Sequence, residues 1–333
     1  MLGALLAILS AAAFALNNAV ARRGVVTGTP SQAMAITVPI GVACFLPVAF
    51  ITGELLRVAN FPAQAAAWMA GVGVLHFVIG RYCNFRANQL AGVNLTAPVV
   101  QLQVVVTMVL AVVVLHEPCT ALQMIGGVLI LGGSLITQRQ TLRPREALPK
   151  ENPAADEPAL PLFMPRYLAG YVFASLAALA YGTTPIMARF ALEHTGPSTG
   201  ILGGLIAYVA ATAVLSLAFF SAPIRRNVFS LNRQNSRWFV ISGLLVAAAQ
   251  GFFFCAVAVA PVMLVMPLLQ LSLAFRLLFA MWLSPDHEVL GPLVIAGVAI
   301  SVAGAMMVSI DTGLIVDALA IPERLARLLL WRI

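Results

Sequence analysis

Long apolar stretches separated by short polar breaks dominate the hydrophobic pattern of this chain. Ten of them are about 20 residues or longer, the length that an α-helix needs to cross a hydrocarbon core of about 30 Å. They lie near residues 2–21, 31–52, 65–86, 91–115, 119–138, 166–188, 198–221, 237–258, 260–283 and 288–310. The pattern therefore predicts an all-α integral membrane protein with ten transmembrane helices.

The pattern also repeats itself. Eight residues recur 169 positions later: Phe85, Ala87, Ala91, Val93, Leu95, Pro98, Gln101 and Leu102 match Phe254, Ala256, Ala260, Val262, Leu264, Pro267, Gln270 and Leu271. A second set, His116, Glu117, Leu122, Gly126 and Gly133, recurs 171 positions later. The chain is thus an internal duplication, with one repeat in residues 1–138 and the other in residues 166–310.

Residues 139–165 change character abruptly, with six prolines among charged residues, and this composition predicts a linker. Each repeat carries five predicted helices, so the second must cross the membrane in the opposite sense to the first. The two halves are therefore predicted to be inverted repeats, an arrangement found in many secondary transporters. Residues 311–333 mix Arg with Leu and Trp and predict an amphipathic tail at the membrane surface.

Composition supports the membrane class and excludes several others. Charged residues make up only 9% of the 333, hydrophobic residues make up 61%, and the mean hydropathy is +0.97. The four cysteines and four histidines show no metal-ligand or disulfide spacing, and no phosphate-binding loop or nucleic-acid module is apparent. We therefore predict no cofactor, no metal site and no nucleic-acid partner. The expected partners are the lipid bilayer and a small-molecule substrate.

The repeated motifs resemble the EamA domain of the drug/metabolite transporter (DMT) superfamily. Each half has an aromatic-small pair in its first helix (Phe14-Ala15, Tyr181-Gly182), a proline early in its fourth (Pro98, Pro267) and a glutamate turn before a glycine-rich fifth (Glu117, Glu288). This resemblance implies ten helices around a central cavity, alternating access, and export or import of small metabolites. One departure is Ala15, where the family pattern usually has glycine.

Polar residues in the third predicted span form one candidate binding face. His76 lies about 16 Å from the start of that span, near the membrane midplane. At 100° per residue, His76, Arg81, Asn84 and Asn88 fall within an arc of about 140°. The alternative is that His76 makes one interhelical hydrogen bond and that the arginines reach the headgroup layer, as is favoured for Arg86.

Arg276, in the ninth predicted span, is a second candidate. An unpaired arginine beside a cavity would suit an anionic or zwitterionic substrate such as an amino-acid-like metabolite. A structural pairing with Glu288 or a helix-terminal carbonyl is the equal alternative.

Neutral polar residues complete the predicted cavity lining. Gln101 and Gln270 follow the predicted helix bends at Pro98 and Pro267, and Asn17, Asn18, Thr183, Thr184 and Gln250 belong to other spans. The alternative role for each of them is a hydrogen bond between helices.

Glu117 and Glu288 could relay protons, but both lie in short turns, where capping of the following helix is the simpler role. If transport is coupled to protons, His76 is the better-placed group, because histidine ordinarily titrates near neutral pH.

The overall prediction is a secondary transporter of a small polar metabolite, in the plasma membrane and without enzymatic activity. The alternatives are an integral-membrane enzyme, for which no catalytic set is apparent, and a membrane sensor or structural protein that does not transport. Orientation is open. The excess of Lys and Arg in the loops after odd-numbered spans places those loops in the cytoplasm, whereas the EamA resemblance implies cytoplasmic termini.

Overall fold

The computed structural model of the chain describes residues 2–25, 29–140, 166–193, 196–231, 233–272, 274–275, 278–279 and 292–309. Throughout these ranges the regular structure is helical. The α-helices are α1 (Leu2–Val25), α2 (Pro30–Ile51), α3 (Ala63–Val72), α4 (Arg81–Ala91), α5 (Val93–Gln101), α6 (Gln103–Leu115), α7 (Ala121–Gln140), α8 (Tyr167–Leu192), α9 (Pro197–Ala218), α10 (Ala222–Phe229), α11 (Arg233–Val259), α12 (Val262–Leu269) and α13 (Pro292–Ser309). A 3₁₀-helix spans Glu54–Asn60, and a π-helix spans Gly73–Gly80.

Among the described residues, six helices are long and apolar enough to cross a membrane: Pro30–Ile51, Ala63–Ala91, Pro98–Leu115, Tyr167–Leu192, Pro197–Ala218 and Ser236–Val259. Three shorter apolar helices span Leu2–Asn17, Ala121–Gly133 and Ile295–Val308. Each of the nine coincides with one of the ten predicted spans. The remaining prediction, 260–283, begins with α12, and much of its second part lies outside the described residues, as do residues 141–165 and 310–333.

The predicted break between the third and fourth spans is shorter than expected. Helix continues to Ala91 and resumes at Val93, so only Gly92 separates the two. Its φ of 84° lies in the region that favours glycine. Predicted bends near Pro98 and Pro267 correspond to interruptions a few residues later, because regular helix ends before Leu102 and before Gln270.

Small residues let pairs of helices approach closely. A side chain added at Gly126 on α7 would collide with the carbonyl of Gly304 on α13, and one at Gly133 would collide with the carbonyl of Gly297. Small residues at helix contacts have this effect in membrane proteins generally. Two further contacts join other helices in the same way, Gly3 with Ala260 and Gly170 with Ala91.

The turn between α6 and α7 corrects one prediction. Glu117 does not cap α7, the helix that follows it, because Thr120 and Gln123 exchange hydrogen bonds at that N-terminus. The Glu117 carboxylate instead accepts hydrogen bonds of 2.9 and 2.8 Å from the backbone N–H groups of Val262 and Met263. Glu117 therefore caps α12, a helix of the other half, through the donors that a helix start leaves unpaired.

Candidate functional site

The candidate site lies where the long helix Ala63–Ala91 departs from regular α-helical geometry. Between Gly73 and Gly80 the helix is of the π type, and the Arg81 N–H donates to the His76 carbonyl five residues earlier. Such short π segments are frequent at functional sites. Because i→i+5 bonding widens the turn, His76 and Arg81 lie closer to one face than the 100° per residue of an α-helix would place them.

Glycines allow this segment to pack against its neighbours. A side chain at Gly73 would collide with the backbone carbonyl of Ala207 on α9, and one at Gly80 would collide with the ring of Tyr181 on α8. The close approach places both helices directly against the π-helical turn.

His76 is hydrogen-bonded through both ring nitrogens. Its Nε2 is 3.1 Å from Nε2 of Gln250 on α11, and its Nδ1 is 3.2 Å from Oγ1 of Thr184 on α8. An amide nitrogen only donates, so His76 Nε2 accepts, and Nδ1 carries the proton and donates to Thr184. Thr184 in turn donates to the Tyr181 carbonyl at 3.0 Å. This arrangement holds a neutral imidazole in one tautomer.

Aromatic rings surround this polar cluster. The Tyr181 ring centroid lies 4.9 Å from that of His76, and the Phe77 centroid lies 5.0 Å from it in an edge-on arrangement. Phe77 also stacks on Tyr208 of α9 at 4.2 Å, with both side chains fully buried. The rings form an apolar wall beside the polar atoms of His76, Thr184 and Gln250, which bond to one another.

Arg81 lies beside this wall. Its Nη1 donates to Thr37 Oγ1 on α2 at 2.9 Å, and its guanidinium carbon is 5.4 Å from the Phe77 ring centroid. The charge is close enough to interact electrostatically with His76, Tyr181 and Tyr208. A cation and a neutral hydrogen-bonding cluster thus share one region between α2, α8, α9, α11 and the π-helical turn.

The structure brings together some of the predicted site residues and not others. His76, Arg81, Thr184 and Gln250 form the cluster, and Asn84 interacts with the Tyr181 side chain. Elsewhere, Asn17 accepts a hydrogen bond from Ser242, Gln101 accepts one from Gln103, and Thr183 donates to the Leu179 carbonyl of its own helix.

Gln270 is buried, and its amide nitrogen has no hydrogen-bond partner among the described residues. The Asn18 side chain and the whole of Arg276 lie outside the described residues. Pro98 and Pro267 lie within α5 and α12.

Three contributors were missed from the sequence: Thr37, Phe77 and Tyr208. Each looks unremarkable alone, because threonines and aromatic residues are common in apolar helices. Spacing gave one usable signal, since Gly73 and Gly80 bracket His76 and glycines in a helix often mark close backbone approach. Tyr181 had been noted only as part of a repeated motif.

A cavity of about 500 Å³ lies at one end of the bundle, not at this cluster. The 3₁₀-helix, the start of α3 and the end of α8 line it, with Trp68 stacked on Phe190 at 5.6 Å. Trp68 precedes His76 by two helical turns in the same continuous helix. Within the described ranges, no group of three His, Cys, Asp or Glu side chains comes together as a metal site would require.

Comparisons with known proteins concern the fold of the chain and the family of its first 139 residues. A solved crystal structure, described only as that of a protein, superimposes with a TM-score of 0.65 over 92% of this chain and 96% of its own, at 18% sequence identity. At that identity the likeness concerns the fold alone. No curated protein matches the chain.

The sequence model of the EamA-like transporter family matches residues 1–139, a region that contains Thr37, His76 and Arg81. With the apolar helices described above, this match makes the chain an integral, multi-pass membrane protein. Residues 1–139 thus match the EamA domain, which is the domain of the drug/metabolite transporter superfamily.

Proposed function

We propose that the protein is a secondary transporter that moves a small polar metabolite across the plasma membrane by alternating access. Two inverted five-helix repeats, residues 1–138 and 166–310, would enclose the substrate path, joined by the linker 139–165. The amphipathic tail 311–333 would lie at the membrane surface. The proposal assigns no enzymatic reaction to the chain.

Matched contacts between the halves support the inverted arrangement. Gly3 packs on Ala260, and the equivalent residues of the other half, Gly170 and Ala91, pack on each other. Each contact is the counterpart of the other under the sequence offsets of 167 and 169. Inverted halves would place these two contacts near opposite surfaces of the membrane.

The hydrogen bonds of His76 carry the proposal. His76 belongs to the first half, whereas Thr184 and Gln250 belong to the second. A polar cluster that joins both halves within apolar helices is a favourable position for a substrate, because the halves must rearrange around it during alternating access.

Flux through proteoliposomes tests the proposal, and two adjacent threonines give a matched pair of variants. The protein is reconstituted with a panel of radiolabelled amino acids and small organic acids, and exchange is measured with the same solute on both sides. We expect Thr184→Val to slow exchange by about tenfold, the equivalent of about 1.4 kcal/mol. Thr183→Val should stay within about twofold, since the one hydrogen bond of that hydroxyl among the described residues is to its own helix.

Acceleration by solute on the opposite side distinguishes a transporter from a channel. Recovery of chemically altered solute would favour the membrane enzyme instead. No flux for any solute in the panel, with folded protein in the vesicles, would leave the sensor or structural alternative and contradict the proposal.

Within this proposal, His76 is the group that would carry a coupling proton. Protonation of Nε2 would require the Gln250 amide to turn its oxygen toward the ring, which couples the charge of His76 to a side chain of the other half. A His76→Gln variant should lose the dependence of uptake on an imposed pH gradient. An unchanged pH profile in that variant would exclude coupling through His76.

A further inference from the structure

Arg81 carries a positive charge deep inside a membrane-spanning helix. It precedes the end of the helix at Ala91 by ten residues, or about 15 Å along the axis. A side chain this far from the end cannot easily reach the headgroup layer. Charged groups at such depth are costly unless they are paired, so they commonly mark a substrate or ion pathway.

The described surroundings of Arg81 are neutral. Its one side-chain hydrogen bond there is to Thr37, and its ring neighbour is Phe77. The ion pairs among the described residues are Arg57 with Glu54 and Arg189 with Glu193, and neither includes Arg81. A guanidinium has five N–H donors, so most of its donor capacity is left for another group.

The hydroxyl of Tyr208 gives an independent indication. Tyr208 is fully buried, and its hydroxyl has no hydrogen-bond partner among the described residues. Phe77 contacts both Tyr208 and Arg81, and the arginine charge lies close enough to interact with the tyrosine. Native proteins rarely leave a buried hydroxyl unsatisfied, and an unpartnered one calls for a specific explanation. An anionic ligand oxygen could accept from both groups at once.

We propose that Arg81, together with Tyr208, binds the carboxylate of a small monocarboxylate metabolite. The assignment rests on the proposed transport function and names the substrate class for that site. The remainder of the substrate would contact His76, about one turn away in the same helix, and Gln250 of α11.

Among the described residues, Arg81 is the one cation that contacts this cluster, and that favours a carboxylate over a phosphate. One guanidinium matches a monoanion through two parallel N–H···O bonds. A phosphate dianion would need a second cation. The next arginine along the helix, Arg86, is exposed and donates to Gln89. The only lysine of the chain is Lys150, in the predicted linker.

Binding to the purified full chain in lipid nanodiscs tests this assignment. The probes are monocarboxylates and amino acids, each paired with its neutral carboxamide analogue, and inorganic phosphate. Calorimetry should find at least one carboxylate that binds about tenfold or more tightly than its carboxamide. Arg81→Gln should weaken that carboxylate by about tenfold or more, and Arg81→Lys should recover part of the loss. Arg86→Gln, the matched control five residues later, should bind like the unaltered protein.

Three results would overturn the carboxylate site: no carboxylate binds, the carboxamides or phosphate bind as tightly, or folded Arg81→Gln keeps the affinity. Circular dichroism and gel filtration establish that this variant is folded.

Flux measurements separate this inference from the proposed function. If the protein transports a solute and Arg81→Gln leaves the affinity for that solute unchanged, the proposed transport function stands and the carboxylate site is excluded. If Arg81 binds a carboxylate but no solute crosses the membrane, the carboxylate site stands and the proposed transport function is excluded.

Discussion

Two helices that the duplication relates to each other have become different structures. Ala63–Ala91 and Arg233–Val259 align at an offset of 169, and both are long and apolar. The first contains a π-helical turn with His76 and Arg81, whereas the second is α-helical throughout its length. The equivalents of His76 and Arg81 are Leu245 and Gln250.

The comparison shows how an asymmetric site can arise on a duplicated scaffold. Both copies keep the apolar surface that packs the bundle. The first copy carries the charge and the titratable ring, and the second supplies Gln250, which hydrogen-bonds to that ring. A specific small molecule needs such asymmetry, because two identical halves would present identical groups from both sides.

The largest expected effect comes from the glycine that starts the π-helical turn. Gly73→Ala places a methyl group against the Ala207 carbonyl and should destabilise the protein by about 3 kcal/mol, near the upper end for overpacking. Denaturant unfolding in detergent micelles measures the loss. Gly132→Ala on α7 is the matched control, because a methyl group there meets nothing within 4 Å. Equal effects of the two substitutions would show that the close approach at Gly73 is unimportant.

The next largest effect concerns α12, the helix that follows Arg233–Val259. Helix α12 starts on the Glu117 carboxylate, so Glu117→Ala leaves two backbone donors without their acceptor. We expect a loss of about 2 kcal/mol in the same unfolding measurement. Glu193→Ala removes a carboxylate that is 40% exposed and should cost much less. If Glu117→Ala unfolds like the unaltered protein, the cap does not join the two halves.

Replacing His76 with the residue of its counterpart tests the asymmetry directly. His76→Leu removes both side-chain hydrogen bonds and leaves the Gln250 amide unpaired, which should cost about 1–2 kcal/mol. The double variant His76→Leu/Gln250→Leu should recover part of that loss, because no buried donor is then left over. Strictly additive effects of the two substitutions would mean that the two side chains do not interact.

The smallest effect is expected on the regular helix. Ser242, the counterpart of Gly73, donates to Asn17 at 2.6 Å. Ser242→Ala should cost about 0.5–1 kcal/mol, the usual range for one hydrogen bond between membrane helices. A loss of stability as large as that of Gly73→Ala would contradict the expectation that the π-helical turn is more sensitive to substitution than the regular helix.

Local sequence signals predicted the helical architecture well. Apolar stretches of about 20 residues anticipated each of the six long helices, because hydropathy and length are properties of a segment by itself. The match of residues 1–139 confirmed the EamA resemblance of the first half, and that of residues 166–310 stays a prediction.

The candidate site was predictable only in part. His76, Arg81, Thr184 and Gln250 stood out because polar groups are rare in apolar helices, but nothing local paired His76 with Gln250. The prediction that Glu117 caps α7 was wrong for the same reason. Its partners, Val262 and Met263, are distant in sequence, and Thr120 and Gln123 already form hydrogen bonds at the start of α7. Arg276 lies outside the described residues, so its assignment to the cavity stays a prediction.

The sequence by itself determined the membrane class, the helical spans and the doubled pattern, because each follows from local composition or from internal comparison. Tertiary structure decided which polar groups meet and on which face. A regular 3.6-residue period spread His76 and Arg81 over a wide arc, and the π-helical turn, packed against α8 and α9, brought them together. That turn packs against neighbours from the other half of the chain, and local periodicity does not encode such distant contacts.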